Sequence, residues 1–233
     1  MCRLSFIAGI RAGRCASPTL ECMGDVEQII EITSEAELRE LLGEPVERSI
    51  KKEHRQLRQQ HRDWIAEAPF CVLATAGADG TCDVSPKGDP AGFVHILNDT
   101  TLVVPDRPGN RRADGFLNVL RNPHVGLLFM IPGREDTLRV NGHARLIREA
   151  PFFDDLVVRG HRPTLAILVE IEQVFFHCPK ALKRSGLWRP ETWGDPGRLP
   201  SVACVVKATM DIPETLEELE RYYGPEYDQR LYT

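Results

Sequence analysis

The stretch Asp106-Arg107-Pro108-Gly109-Asn110-Arg111-Arg112 concentrates groups that could hold an anion. We expect it to join a strand to a helix, with Asn110 as the helix N-cap and Gly109 allowing close approach of the backbone to a ligand. Arginines in the first turn of a helix oppose the positive end of the helix dipole. A sequence that places two there predicts a phosphate site. The alternative is that both arginines are surface residues paired with Asp106 and Asp114.

Lys87 offers a further positive charge, in Ser85-Pro86-Lys87-Gly88 at the end of an earlier predicted strand. Adjacent antiparallel strands could bring Lys87 beside the arginine pair, but a lone lysine is also typical of an ordinary surface position. The seven histidines are scattered along the sequence. His95 and His143 fall within predicted strands, which favours barrel positions over a role as catalytic bases.

Several classes of site are excluded by motifs that the sequence lacks. It contains no G-x-G-x-x-G, Walker, H-E-x-x-H or G-x-S-x-G motif. The seven cysteines form no C-x-x-C pair, so we expect reduced thiols in a cytoplasmic protein and no metal site. A net charge of -5 does not favour nucleic-acid binding. With no apolar run of about 18 residues, we expect no membrane span.

The first 68 residues are predicted to form a leader and a helical arm. Residues 1–24 lack periodicity, so we expect a disordered leader or a start codon assigned too far upstream, with Met23 as the other candidate start. Ser34 to Glu37 is a capping box that predicts a helix. A second helix is predicted over Val46–Ala66, where Ile50, Leu57 and Trp64 recur every seven residues and would lie on a partner surface.

From Pro69 onward the pattern becomes that of β-strands. Strands are predicted over 70–76, 82–86, 93–97, 102–104, 125–131, 138–147 and 165–177, most of them joined by short turns. A helix with apolar residues at Ala113, Phe116, Leu117 and Leu120 interrupts them, and a short helix is expected near Phe152–Val158. This order predicts a mainly β fold, an antiparallel β-barrel with helices.

The ordered series of motifs resembles the pyridoxamine 5'-phosphate oxidase-related family of flavin-nucleotide-binding proteins. It comprises Asp83-Val84-Ser85-Pro86-Lys87-Gly88, Gly92-Phe93-Val94, Asn110-Arg111-Arg112, Asn122-Pro123, Val125-Gly126-Leu127-Leu128-Phe129 and Leu138-Arg139-Val140-Asn141-Gly142. The resemblance covers about Pro69 to Trp188. It implies an FMN-binding split barrel over 69–188, a C-terminal extension with a short helix over 189–233, and a homodimer with FMN at the subunit interface.

The resemblance also assigns cofactor-binding roles to individual residues. Lys87, Arg111 and Arg112 match the basic residues for the FMN phosphate, and Asn110 matches a small polar residue beside them. Val84 and Ser85 match the strand whose backbone faces the isoalloxazine edge. Arg139 is implied to contribute from within the subunit or across the dimer, and Lys183 and Trp188 are implied to lie at the interface or beside the flavin.

The sequence also departs from the oxidase itself. Cys82 stands where the oxidase has an arginine, the connection from Lys87 to Arg111 is longer, and Arg198-Leu199-Pro200 does not reproduce the C-terminal substrate signature. The implied function is therefore an FMN-dependent oxidoreductase whose small-molecule substrate is unknown, and not oxidation of pyridoxamine phosphate. A flavin or haem carrier or sensor without turnover and a deazaflavin-dependent reductase remain alternatives on the same fold.

Overall fold

The computed structural model describes residues 29–232 and divides the chain into two compact units, one ending at Val46 and the other spanning Glu47–Thr233. The predicted leader and Met23 lie outside the described residues. In the first unit, helix α1 spans Glu35–Leu42. Its start is as predicted, because the Ser34 hydroxyl accepts a hydrogen bond from the Glu37 N–H at 3.2 Å. Gly43, with φ of 73°, ends it.

The predicted long helix over Val46–Ala66 is wrong. Two helices occur instead, α2 (Glu47–Lys51) and α3 (Gln59–Glu67). Between them the chain leaves the helical path because His54 exchanges two backbone hydrogen bonds with Val174, at 3.0 and 2.8 Å. Leu57 and Trp64 are buried, whereas Ile50 is exposed, so the three residues do not form one continuous stripe. Tertiary pairing has overridden helix propensity here.

Within residues 29–232, seven strands form one antiparallel sheet, which confirms the predicted mainly β class. Their spatial order is β2-β1-β5-β6-β7-β4-β3, and every pairing between neighbours is antiparallel. The strands are β1 (Phe70–Ala76), β2 (Cys82–Gly88), β3 (His95–Asn98), β4 (Thr101–Pro105), β5 (His124–Met130), β6 (Thr137–Ile147) and β7 (Ala166–His177).

The sheet curls so that its two ends approach each other. One face is inward and holds the core, with side chains such as Leu73, Leu127, Val140 and Val169 fully buried. Strand β2 and the segment after β4 lie at opposite ends of the strand order, yet the Lys87 ammonium lies 3.6 Å from the Asp106 carboxylate. The predicted barrel is therefore observed as a curled sheet whose ends meet through polar side chains.

A β-bulge interrupts the pairing of the two longest strands, β6 and β7. Asn141 is opposite Gln173 and Gly142 is opposite Ile171, so Glu172 is the extra residue. A Cβ atom added to Gly142 would lie 2.0 Å from the carbonyl oxygen of Glu170, so only glycine fits. The bulge places Glu172 and Gln173 on the outer face together.

Helices cover one region of the sheet and follow its last strand. Helix α4 spans Asp114–Arg121, and a 3-10 turn over Phe153–Leu156 stands where a short helix was predicted. After β7 come α5 (Lys180–Ser185), α6 (Val202–Thr209) and α7 (Leu216–Tyr222). Within residues 29–232, none of the helices is long and apolar enough to span a membrane.

Candidate functional site

A cavity of about 1260 Å³ opens where the two ends of the sheet meet. Its walls come from β2, the segment from Pro105 to Phe116, the loop from Gly160 to Leu165, and Tyr232. Ligand clefts for small molecules commonly have volumes of about 300–1,000 Å³, so this one can admit a cofactor. Six of the nine predicted site residues line it: Val84, Ser85, Lys87, Asn110, Arg111 and Arg112.

The segment between β4 and α4 has a backbone that the sequence did not predict. Asn110 was expected to be the helix N-cap, and this is wrong: its side-chain oxygen accepts from the Arg112 N–H at 3.0 Å, and α4 begins four residues later at Asp114. The reason is that Arg111 and Ala113 have φ of 61° and 60°, a left-handed conformation that cannot continue into a helix. Arg111 and Arg112 therefore precede the helix.

The left-handed residues of this segment are a sign of function. Such a conformation costs about 1–3 kcal/mol for a residue other than glycine, and it concentrates at ligand-binding sites. Within the described chain, positive φ outside glycine occurs at Arg111, Ala113 and Arg159. The first two line the cavity, and the third is next to Gly160, which also lines it.

The two predicted arginines differ in their contacts. The Arg112 guanidinium is 2.7 Å from the Asp114 carboxylate, and this hydrogen bond raises the pKa of Arg112 above its ordinary value. The surface pairing considered as an alternative is thus real for Arg112, whose side chain is 74% exposed. Among residues 29–232, Arg111 makes no side-chain hydrogen bond or ion pair. Arg111 is consequently the better placed to receive an incoming anion.

Lys87 is held inside the cavity and is not an ordinary surface lysine. Its side chain is 19% exposed, forms the ion pair with Asp106, and places its ammonium group 5.0 Å from the centre of the Phe116 ring. Burial raises the pKa of Asp106, and the charge of Lys87 opposes that rise. The Lys87 ammonium group is therefore oriented by Asp106 and by the Phe116 ring, and its charge is partly neutralised by Asp106.

A second ion pair joins Arg107, in the cavity lining, to the buried Asp89, and sequence reasoning missed it. The Arg107 guanidinium is 2.5 Å from the Asp89 carboxylate, which is 1% exposed and also accepts from the Tyr232 hydroxyl. Arg107 donates to the Leu156 carbonyl at 2.9 Å, yet its buried Nη1 atom has no partner within the described chain. Arg107 stood within the motif, but no pattern connected Tyr232, 143 residues from Asp89, to the site.

The start of helix α4 packs closely against strand β2, which lines the cavity. A Cβ atom added to Gly115 would be 3.1 Å from the Asp83 carboxylate and 3.8 Å from the Ser85 hydroxyl. The Asn118 side chain donates to the Thr75 hydroxyl at 3.1 Å, which anchors the helix to β1. Ser85 is thus presented beside the helix start.

The other three predicted site residues do not line the cavity. Arg139 is on the outer face of β6, where its guanidinium lies 4.4 Å from the centre of the Phe175 ring and its buried Nε atom has no partner in the described chain. Lys183, on α5, pairs with Glu135 at 2.9 Å. The Trp188 indole nitrogen is buried without a hydrogen-bond partner among the described residues.

The sequence profile of the pyridoxamine 5'-phosphate oxidase family matches residues 57–178, which is more than half of the chain. The chain belongs to this family. The match includes strands β1 to β7 and every predicted site residue except Lys183 and Trp188. A search of curated proteins gives no match.

Solved structures similar to this family member include three from bacteria. HupZ from Group A Streptococcus is 18% identical, with 52% of this chain and 93% of that one covered and a TM-score of 0.43. An FMN-binding protein from Syntrophomonas wolfei is 11% identical (62% and 96% covered, TM-score 0.40). HutZ, the haem storage protein from Vibrio cholerae, is 15% identical (52% and 94% covered, TM-score 0.38).

The residues of the cavity fit a phosphate group, and proteins of this family commonly bind a flavin. Five cationic side chains line the cavity (Lys87, Arg107, Arg111, Arg112 and Arg162), and all but Arg111 are paired with carboxylates. Within residues 29–232, Arg111 is therefore the lining cation without a carboxylate partner. The Arg111 guanidinium, which has no partner among residues 29–232, is a donor for phosphate oxygens.

Proposed function

We propose that this cavity binds FMN and that the protein is an FMN-dependent oxidoreductase. The observation that carries the proposal is that the left-handed segment holds Arg111 at the cavity with no side-chain partner among residues 29–232. Family membership supports a flavin over other anions of similar charge. A small-molecule redox partner is part of the proposal, and its identity is open.

The phosphate would be held by Arg111 and Lys87, with Arg112 and Asn110 beside them. Arg111 offers the bidentate fork that matches phosphate, and Lys87 offers a point charge. Arg112 would have to exchange its Asp114 partner for the phosphate, which reduces its net contribution. Asn110 acts indirectly, because its hydrogen bond to the Arg112 N–H maintains the turn.

The apolar part of the cavity would hold the flavin ring system. Leu73, Phe93 and Phe116 contribute apolar side chains to the cavity lining. Val84 and Ser85, on strand β2, also line the cavity. FMN supplies hydride or electron transfer when bound, and the protein supplies binding, orientation and electrostatic tuning. The departures from the oxidase at Cys82 and at 198–200 argue against pyridoxamine phosphate as the substrate.

A homodimer is part of the same proposal. The outer face of β2, β1 and β5 carries an apolar row in which Pro86, Val72 and Leu128 are directly opposite one another, continued by Arg139 and Phe175. Val84, next to this row, is 64% exposed. A second copy covering this face would bring Arg139 to the interface, which is one of the two placements that the family resemblance implies for it. The setting we propose is the cytoplasm.

The test is cofactor analysis followed by a comparison of FMN with riboflavin, which lacks the phosphate. Arg111→Ala should weaken FMN binding by about tenfold to a hundredfold, the value of one charge-assisted hydrogen bond, and leave riboflavin binding unchanged. Lys87→Ala should show the same bias more weakly. The control is Arg134→Ala, because Arg134 pairs with Asp136 at i+2 as Arg112 does with Asp114, but outside the cavity.

The outcomes separate the candidates. An unchanged FMN-to-riboflavin ratio in folded Arg111→Ala and Lys87→Ala proteins would refute the phosphate site. If the protein binds FMN but the bound FMN is not reduced by NADPH or dithionite, or once reduced is not reoxidised by any acceptor, the protein is a carrier or sensor. Protein that takes up only haem or only a deazaflavin would refute FMN as the cofactor.

A further inference from the structure

Three side chains that can ligate a metal converge on the outer face of the sheet, away from the cavity. They are His124 on β5, His143 on β6 and Glu172 on β7, and one ligand atom from each lies within 4.8 Å of the others. The two Nε2 atoms are 2.8 Å apart, and His143 Nδ1 is 3.3 Å from a Glu172 carboxylate oxygen. None of the three lines the cavity proposed for FMN.

The strands hold this cluster in place. His124 and His143 are a directly opposed pair on β5 and β6, so their side chains project from the same face. Glu172 is the extra residue of the bulge, and it joins them only because Gly142 allows β7 to come close. The cluster therefore depends on three strands and one bulge.

The hydrogen bonds around His124 determine which nitrogen is available. The Asn122 side-chain oxygen is 2.9 Å from His124 Nδ1 and also accepts from the His124 N–H at 3.4 Å. That oxygen is an acceptor, so Nδ1 carries the proton and Nε2 presents its lone pair to His143. Orientation of a metal-binding imidazole by such a hydrogen bond is typical of metal sites.

The contacts around His143 place two more ligand atoms beside the Nε2 lone pair of His124. His143 Nε2 faces the lone pair of His124, and His143 Nδ1 faces a carboxylate. A metal ion between the two Nε2 lone pairs, with the carboxylate turned toward it, satisfies the same groups with neutral imidazoles.

We propose that His124, His143 and Glu172 form a binding site for a divalent transition-metal ion such as zinc. Two imidazoles and one carboxylate are a ligand set that such ions accept, with one or more positions left for water. Metal–nitrogen bonds of about 2.0–2.1 Å in a tetrahedral site separate the two nitrogens by about 3.3 Å. The Nε2 atoms need to move apart by only about 0.5 Å from their 2.8 Å separation.

The test is zinc titration by calorimetry of the full-length protein, as purified and after treatment with a chelator. Wild type should bind a single zinc ion per chain at this site. His124→Gln and His143→Gln should each lower its affinity by roughly tenfold or more, and Glu172→Gln by less, because an uncharged amide oxygen is a weaker ligand. Circular dichroism and the thermal midpoint would confirm that each variant is folded.

Two control variants carry the same types of substitution at residues outside the cluster. His177→Gln removes a histidine further along β7, and Glu170→Gln removes a carboxylate that pairs with Arg145 at 2.9 Å. Both should leave zinc affinity within about twofold. Cobalt in place of zinc should give no thiolate-to-metal charge-transfer absorption, which separates this site from binding by cysteines. Wild-type affinity in His143→Gln, or no zinc uptake by the chelator-treated wild type, would overturn the proposal.

Discussion

The titration of His61 shows how one buried residue couples stability to pH. Its side chain is 4% exposed, and its Nδ1 atom accepts from the Arg58 N–H at 3.1 Å. Burial, helped by the nearby His54 and Arg58, lowers the pKa of His61 below its ordinary 6.5. The folded state therefore prefers the neutral imidazole, whereas the unfolded state takes up a proton as the pH falls through about 6.5.

From this difference we predict that His61 destabilises the protein in mild acid. Above about pH 6.5, His61 is neutral in both the folded and the unfolded state, and its contribution to stability is fully present. Below about pH 6.5 the unfolded state binds more protons than the folded state, so the free energy of unfolding falls as the pH falls. His61→Asn keeps an acceptor but does not titrate. Urea unfolding at pH 7.5 and 5.5 should show a smaller loss of stability in His61→Asn than in wild type. Equal losses would contradict the prediction.

Asp89 offers a second prediction at this scale. It is the buried partner of Arg107, so Asp89→Asn would leave a buried guanidinium without its counter-charge. The expected cost is about 3–5 kcal/mol in the free energy of unfolding, as for other broken buried pairs. Glu170→Gln is the control, because Glu170 and Arg145 are an exposed pair worth less than about 1 kcal/mol. Similar urea midpoints for the two variants would show that Asp89 is not required for stability.

At the scale of elements, alternation of apolar residues predicted the strands well. Leu73, Leu127 and Val140 lie within predicted strands and are fully buried. The sequence could not predict the break between α2 and α3, because it arises from pairing of His54 with Val174, distant in sequence. The same reason explains the missed N-terminus of α4: the left-handed Arg111 and Ala113 are set by the surrounding structure and not by local propensity.

The candidate site was predictable to the extent that it is local in sequence. Lys87 and the segment 110–112 are short motifs, and the structure brings them to one cavity. Tyr232 was not predictable, since it reaches the cavity wall from the end of the chain. Nor was the cluster of His124, His143 and Glu172 predictable, because these residues are far apart in sequence and come from three strands.

The bulge between β6 and β7 can be tested as an element. Gly142→Ala would place a methyl group 2.0 Å from the Glu170 carbonyl oxygen, so β7 must move away. We expect a loss of about 1–3 kcal/mol in the free energy of unfolding, the usual cost of overpacking. Gly194→Ala is the control, since nothing lies within 4 Å of its added Cβ atom. If Gly142→Ala unfolds at the same urea concentration as Gly194→Ala, the bulge does not need glycine.

At the scale of the whole molecule, the curled sheet has two faces with different roles. Its inward face holds the core, and its ends meet around the cavity through Lys87 and Asp106. Its outer face carries an apolar row that includes Val72 and Leu128, which are half-buried within one chain. A contiguous apolar surface of this kind usually marks a contact with another protein. The proposed homodimer and the proposed FMN site are thus linked, because Val84 lies next to that row and also lines the cavity.

This link gives a prediction for the assembled protein. Leu128→Arg would place a charge in the middle of the outer face, where a second copy would have to bury it without a partner. Light scattering should then report a mass near the 26.2 kDa of one chain, where wild type gives about twice that. The variant monomer should stay folded, because in a single chain the Leu128 side chain is already partly in solvent.

The control for the dimer is Leu120→Arg on α4, where Leu120 is 69% exposed and lies away from the outer face. It should leave the mass of the assembly unchanged. If the flavin site is completed across the dimer, Leu128→Arg should also lose bound FMN, although Arg111 and Lys87 are intact. A folded Leu128→Arg protein that is still dimeric would place the interface elsewhere. A monomer that keeps FMN at wild-type affinity would confine the cofactor site to one chain.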